Sequence, residues 1–367
     1  MASADIDYSR NIKKYTKLVA RNKWQNKYLP SWWPGVKKKP IIISEGDSWF
    51  DFPLKSLTDV LGVLLRYGIG LQNFGMDSKT NIMDYVSRDN KLDGLFLRLE
   101  RSGDTAPELS AKKPNKKGGV GEDKFPSTTL YEALQDRTIQ KHLDCILLSA
   151  GGNDLVEAAR KGVILDYQGN CEGSYDKVLL KDAAESIVGH FLEAIVYRDQ
   201  FASTAQIICH SYAYPIQLSR GTTTEFDFKD ASKLIELLLK FLNIQWIKKP
   251  LAAIGIDVDD LGTHTMVSDA RLHLSLDEKG WPKNEGVLVH PERQAFIKIM
   301  INALYDEMQI LPARYQQKTG KQLTNFEYLD IREMCQDPKY WADFIHLNTK
   351  GYKEVGKVFV DKIKAVL

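Results

Sequence analysis

Short apolar runs constrain this chain more than any other feature of the sequence. Each ends in or runs into a small or polar residue, and most are followed by a segment of helical periodicity. Pro40–Ser44 holds three consecutive isoleucines and runs into Glu45-Gly46-Asp47-Ser48. Asp144–Ala150 contains CILLSA and is followed by Gly151 and Gly152. Ala205–His210 contains QIICH, while Ile69–Phe74 and Leu323–Ile331 are further strand candidates. Runs of this length bounded by turn residues suit strands buried on both faces. Between them lie stretches with apolar residues three and four apart. Leu54–Arg66 carries Leu57, Val60, Leu61 and Leu64, and Asp182–Asp199 carries Ala183, Ile187, Phe191 and Ile195. Pro291–Met308 and Asn348–Val366 read as helices, the second capped by Asn348 or Thr349. Asn81–Ser87 with Thr80 as its cap, Leu92–Leu99 and Thr129–Leu143 are read as helical too. Strands alternating with helices predict an α/β fold, a parallel sheet with helices on both faces. Ligands bind such sheets beyond the carboxyl ends of the strands. Ser48, Gly75, Asn153 and His210 each fall at or just after a predicted strand end, and so on one rim.

Composition narrows the function classes. The chain has 367 residues, 43% of them hydrophobic, enough for a sizeable core. Its formal charge of +2 gives nucleic acid no general attraction, and no nucleic-acid partner is expected. Cys145, Cys171, Cys209 and Cys335 are scattered and form no CxxC pair, so free thiols are expected and no disulfide framework. The N-terminal stretch lacks the apolar core of a secretory signal, and no run reaches the roughly eighteen apolar residues of a membrane span. A cytoplasmic protein, or one exported without a cleaved signal peptide, is expected.

Three segments stand apart from the strand–helix alternation. Residues 1–38 are basic and aromatic, with Tyr8, Tyr15, Trp24, Tyr28, Trp32 and Trp33. They read as an extension packed over the edge of a domain spanning 39–367; peripheral contact with a membrane surface or a partner is the alternative. Residues 101–128 are rich in Lys, Gly and Pro and read as a surface loop or a lid. Their GGVG lacks the Gly-Lys-Ser/Thr of a phosphate-binding loop. Residues 216–292 hold an apolar helical stretch at Ala231–Trp246 and then a polar, linker-like stretch from Asp257 to Glu285. The whole segment reads as a lid, a subdomain or a partner surface.

Acyl transfer needs a nucleophile, a base, a group orienting the base and donors for the oxyanion. Ser48 at the strand-end turn is the nucleophile candidate and His346 the base candidate, with Asp343 three residues before it. Donors for the oxyanion could be the Ser48 N–H, the Gly75 N–H and the Asn153 side-chain amide. Asp47 reads as structural in the turn, and Asp154 as a cap of the following helix. His210, Tyr212 and Tyr214 are candidates to line the pocket, His210 more as a satisfied buried imidazole. Trp49, Phe50 and Phe52 divide between an acyl-chain wall and core under the turn. His264, His273 and His290 are dispersed and show no metal-ligand spacing.

These residues resemble the four blocks of the SGNH (GDSL) hydrolase superfamily. The blocks read Gly46-Asp47-Ser48, Gly75, Gly151-Gly152-Asn153-Asp154 and Asp343-Phe344-Ile345-His346, in that order. The resemblance covers roughly 40–215 and 325–365. It implies a three-layer α/β/α sandwich around a central, mainly parallel five-stranded sheet of flavodoxin-like type, carrying insertions. By it, Ser48 is the nucleophile, His346 the base and Asp343 its orienter, and Ser48, Gly75 and Asn153 form the oxyanion hole. It implies hydrolysis of an ester through an acyl-enzyme, with no metal or organic cofactor. The aromatics near Ser48 and the apolar stretch at 231–246 lean toward a lipid-like ester, as in a lipase, lysophospholipase or carboxylesterase. A carbohydrate O-acetyl esterase, or an inactive binding module on the same fold, is the alternative. The substrate partner is then a small-molecule or lipid ester.

Overall fold

A computed structural model describes residues 8–9, 12–29, 39–47, 49, 81–100, 104–113, 128–214, 272, 275–283, 290–341 and 346–367. The chain enters through a two-residue strand β1 (Tyr8–Ser9) and helix α1 (Ile12–Tyr28). Strand β2 (Ile41–Gly46) is followed among the described residues by α2 (Ile82–Ser87), β3 (Leu95–Arg98) and the short helices α3 (Ala106–Ser110), α4 (Leu130–Gln135) and α5 (Arg137–Gln140). Then come β4 (Cys145–Ser149), α6 (Gly152–Ala158), α7 (Lys177–Phe201) and β5 (Gln206–His210). Helices α8 (Pro291–Gln309) and α9 (Leu311–Thr319), strand β6 (Phe326–Leu329) and helix α10 (Thr349–Val366) complete it.

The strands lie in the order β1-β3-β2-β4-β5-β6, and every pairing is parallel. One register row runs Leu97, Ile43, Ile146, Ile207, Phe326 across the sheet. Successive side chains of a strand point to opposite faces. All residues of β2, β3 and β4 are nevertheless buried, so both faces are covered by helices. This is the three-layer α/β/α arrangement the sequence predicts. Apart from the two-residue β1, the strand order is that of a flavodoxin-like doubly wound sheet. The order reverses between β2 and β4, and that reversal opens a crevice at their carboxyl ends.

Several boundaries differ from the sequence reading. Leu92–Leu99, expected to be helical, contains strand β3. Its leucines at 92, 95 and 99 imitate a helix face, but Leu95–Arg98 is buried throughout and pairs in parallel with both β1 and β2. A short apolar run is ambiguous in period until its neighbours are known. The predicted loop over 101–128 is interrupted by α3, where Ala106 and Leu109 are buried and a Thr105–Glu108 capping box closes the first turn. Asn81, not Thr80, caps α2, its side chain accepting from the Asp84 N–H at 2.8 Å. The helix expected over Thr129–Leu143 breaks at Asp136, whose Oδ1 caps α5 through the N–H groups of Thr138 and Ile139. Within the stretch read as linker-like, Leu276 and Trp281 are buried, and the Trp281 ring packs 5.3 Å from that of Phe296 on α8. The expectations at Leu54–Arg66, Ile69–Phe74 and Ala231–Trp246 lie outside the described residues.

The N-terminal helix is tied to the sheet. Tyr15, Val19 and Asn22 share its inner face and are buried. The Tyr15 hydroxyl sits between the Ile42 carbonyl at 2.9 Å and the Leu95 carbonyl at 3.0 Å, at the amino ends of β2 and β3.

Candidate active site

The crevice is built by close approach of two strand ends. A Cβ on Gly46 would stand 2.4 Å from the Ser149 carbonyl oxygen, so only glycine lets β2 end this near β4. The Asp47 N–H then donates to that carbonyl at 3.0 Å. After β4, Gly151 turns the chain with φ of 111°, a conformation glycine adopts freely. The turn delivers Gly152 and Asn153 to the start of α6.

Asp47 is almost fully buried and accepts three hydrogen bonds. Oδ1 takes the Ser149 hydroxyl at 2.7 Å and the Trp49 N–H at 3.1 Å. Oδ2 takes the Tyr212 hydroxyl. Tyr212 in turn accepts the Gly152 N–H at 3.0 Å. One phenol, just past β5, thus joins the loop after β2 to the loop after β4. Burial, and after it the neighbouring Asp47 carboxylate, push the Tyr212 hydroxyl well above the ordinary tyrosine value, so it stays a donor. His210 lies beneath, with Nδ1 2.6 Å from the Ser211 carbonyl and Nε2 3.0 Å from the Ser149 hydroxyl oxygen. Burial holds its imidazole below the usual range. It is a satisfied core histidine, while Tyr212 reaches the cavity. Tyr214 instead donates to Asn302.

Asn153 projects from the first turn of α6, and its Nδ2 donates to the Asp104 carbonyl at 2.8 Å. An amide nitrogen carries two hydrogens, so the second remains for another acceptor. Asp154 does not cap its own helix; Gly151 holds the N-cap position. The Asp154 carboxylate accepts the Ala106 N–H at 2.9 Å and fastens α3 to α6. Burial raises its pKa to about 6, against the Ala106 hydrogen bond and with Asp47 and Glu108 adding to the rise.

His346 is 1% exposed and immediately precedes a bridge between Leu347 and Trp341. Asn348 secures this end. Its Oδ1 caps α10 through the N–H groups of Lys350 and Gly351, and its Nδ2 donates to the Lys339 carbonyl at 2.7 Å. His346, Asn153, Asp47 and Trp49 line one cavity of about 60 Å³ at the crevice. The same cavity is also lined by apolar side chains: Leu155 and Val156 of α6, Leu272, and Ile297, Met300 and Ile301 of α8. Trp49 serves both readings the sequence left open. It packs edge-to-face on Tyr212 and Tyr352, with ring centroids 5.2 and 5.9 Å away, and it also borders the cavity. Ser48, Gly75 and Asp343 lie outside the described residues. Among the described residues, no group of three His, Cys, Asp or Glu side chains is placed to hold a metal ion.

Sequence reasoning missed two contributors. From sequence Tyr212 reads only as a pocket-lining residue; its bridging role depends on the register that sets the end of β5 beside the crevice. Asp104 lay inside the expected loop, although the Thr105-x-x-Glu108 capping box announces an ordered turn there.

No protein-family model matches the chain, and no curated protein does either. Among solved structures, it is similar to an extracellular lipase from Streptomyces rimosus at 12% identity, with 87% of this chain and 99% of that one covered and a TM-score of 0.37. It is similar to phospholipase A1 from Streptomyces albidoflavus at 12% identity, with 90% and 100% covered and a TM-score of 0.38. A carbohydrate acetylesterase from Sinorhizobium meliloti matches at 13% identity, with 90% and 100% covered and a TM-score of 0.35. Likeness at this level does not bear on what this chain does, and the functional reading rests on the geometry above.

Proposed function

We propose that the chain is a serine hydrolase of the SGNH type that cleaves carboxylic esters with an apolar acyl group. The observation that carries this reading is that His346 and Asn153, far apart in sequence, border one cavity together with Asp47, the residue before Ser48. In this reading His346 takes the Ser48 proton as the hydroxyl attacks the ester carbonyl, and Asp343 orients the imidazole. The oxyanion of the tetrahedral intermediate is held by the Asn153 amide and by the N–H groups of Ser48 and Gly75. His346 then protonates the departing alcohol, and water releases the acid by the same steps in reverse. The apolar wall of Leu155, Val156, Ile297, Met300 and Ile301 supports an acyl chain over an acetyl group on a carbohydrate.

The test is hydrolysis of p-nitrophenyl acetate and p-nitrophenyl decanoate by the wild type and by Ser48→Ala. Turnover that favours the longer chain and disappears in the variant is expected. Turnover that survives the substitution overturns the mechanism, and a preference for acetate overturns the apolar-acyl assignment.

A further inference from the structure

The far end of the sheet carries a second concave site unrelated to the ester chemistry. It lies where β2, β4 and β5 begin, bordered by Ile41, Leu143, Asp144 and Thr204, and has a volume of about 420 Å³. The candidate active site lies where the same parallel strands end. Four lysines face this cleft: Lys23 and Lys27 from the last turns of α1, Lys39, and Lys141. Lys39 is engaged by Asp93 at 3.0 Å. Among the described residues Lys23, Lys27 and Lys141 pair with no carboxylate. The acidic group in the cleft wall, Asp144, accepts the Ile41 N–H at 2.8 Å. His142 Nδ1 is 3.3 Å from the Lys23 ammonium. Burial and the Lys23 charge hold its imidazole below the ordinary range, so it accepts from the lysine and adds no charge of its own.

The outer face of α1 continues this field. Lys13, Lys14, Lys17, Arg21, Lys23 and Lys27 are all exposed, and the helix contains no acidic residue. Two large aromatics stand among them. Trp24 is 55% and Tyr28 58% exposed, with ring centroids 5.8 Å apart and the Lys27 ammonium 4.9 Å above the Tyr28 ring. A tryptophan and a tyrosine exposed side by side among lysines suit a surface that is apolar at one depth and charged at another. At a bilayer, amphipathic aromatics sit at headgroup level while lysines meet anionic phosphates.

We propose that α1 and the Lys141–Asp144 turn form a docking face for an anionic phospholipid surface, with lipid phosphates in the lysine cleft and Trp24 and Tyr28 at the headgroup level. Charge complementarity and the exposed aromatic pair select this occupant. The face is at the opposite end of the strands from Asp47 and His346, so docking leaves the candidate site open.

The test is co-sedimentation of the full chain with vesicles of phosphatidylcholine alone, or of phosphatidylcholine with one quarter phosphatidylserine. Binding to the anionic vesicles only is expected. It should weaken about tenfold or more in Lys23→Glu/Lys27→Glu and fall as salt is raised. Trp24→Ala should lose the part of the binding that survives high salt. Both variants should melt like the wild type, because every altered side chain is exposed. Equal binding to both vesicles, no binding, or an unaffected lysine variant overturns the proposal. So does release by inorganic phosphate at constant ionic strength, which would make the cleft a site for free phosphate. Preference for a DNA or RNA duplex over the vesicles would reassign the face to nucleic acid.

Discussion

Tyr212 is the residue on which the crevice turns. Its hydroxyl receives the Gly152 N–H and donates to Asp47, so it sets the distance between the turn at Asp47 and the loop that presents Asn153. Tyr212→Phe leaves the ring packing but strands a buried N–H and a carboxylate oxygen, at a cost of about 1–3 kcal/mol in urea unfolding. Misplacement of catalytic groups lowers turnover more than binding, so kcat on a soluble ester should fall about tenfold or more with KM little changed. An unchanged kcat would reduce Tyr212 to a packing residue. Asp154 makes a second prediction, in which the sign follows from its raised pKa. A carboxyl at about 6 in the fold and near 3.8 when unfolded binds its proton more tightly in the native state. Its contribution is therefore full below about pH 4 and is lost as pH rises through about 6. Urea midpoints of the wild type should decline across that window relative to Asp154→Asn; parallel curves would remove Asp154 as the cause. Asn153 and His346 were legible as site candidates because their motifs carry them. Tyr212 was not, because a tyrosine after a strand means nothing until the sheet order brings that strand beside the crevice.

At the scale of elements, legibility followed how local the determining interaction is. Strand β2 is announced by three isoleucines, and α10 by an asparagine cap and an apolar stripe that includes Tyr352, Val355, Phe359 and Ile363. Strand β3 is not, since Leu95, Phe96 and Leu97 have no period of their own and become a strand by pairing with β2. Its end carries a cost no local pattern reveals. Arg98, nearly fully buried, meets Asp84 at 3.0 Å and also Glu100, while Ser44 donates to Glu100 at 2.6 Å. Arg98→Met removes the cation from two buried carboxylates and should destabilise the protein by about 3–5 kcal/mol in urea unfolding. A loss below about 1 kcal/mol would mean that the carboxylates find other partners.

At the scale of the whole molecule, the two ends of one parallel sheet carry two different cavities. The carboxyl ends hold the crevice, as the alternation of strands and helices led one to expect. The amino ends hold the basic cleft; the basic, aromatic character of residues 1–38 is legible in the sequence, but that Lys23 and Lys27 of α1 meet Lys39 and Lys141 in one cleft depends on how α1 packs at the start of the sheet. The four cysteines are free and buried throughout this core. Ellman's reagent should leave the native protein unreacted and titrate all four thiols only after denaturation; rapid native labelling would contradict their burial. Ester hydrolysis of the proposed kind requires Ser48 to be a nucleophile activated by His346. The most direct measurement is the rate of fluorophosphonate labelling, with the adduct located by peptide mass spectrometry, in the wild type and in His346→Ala. A single adduct on Ser48, formed about 100-fold or more slowly in the variant, is the predicted result. No adduct on Ser48, or equal rates in the two proteins, would contradict it.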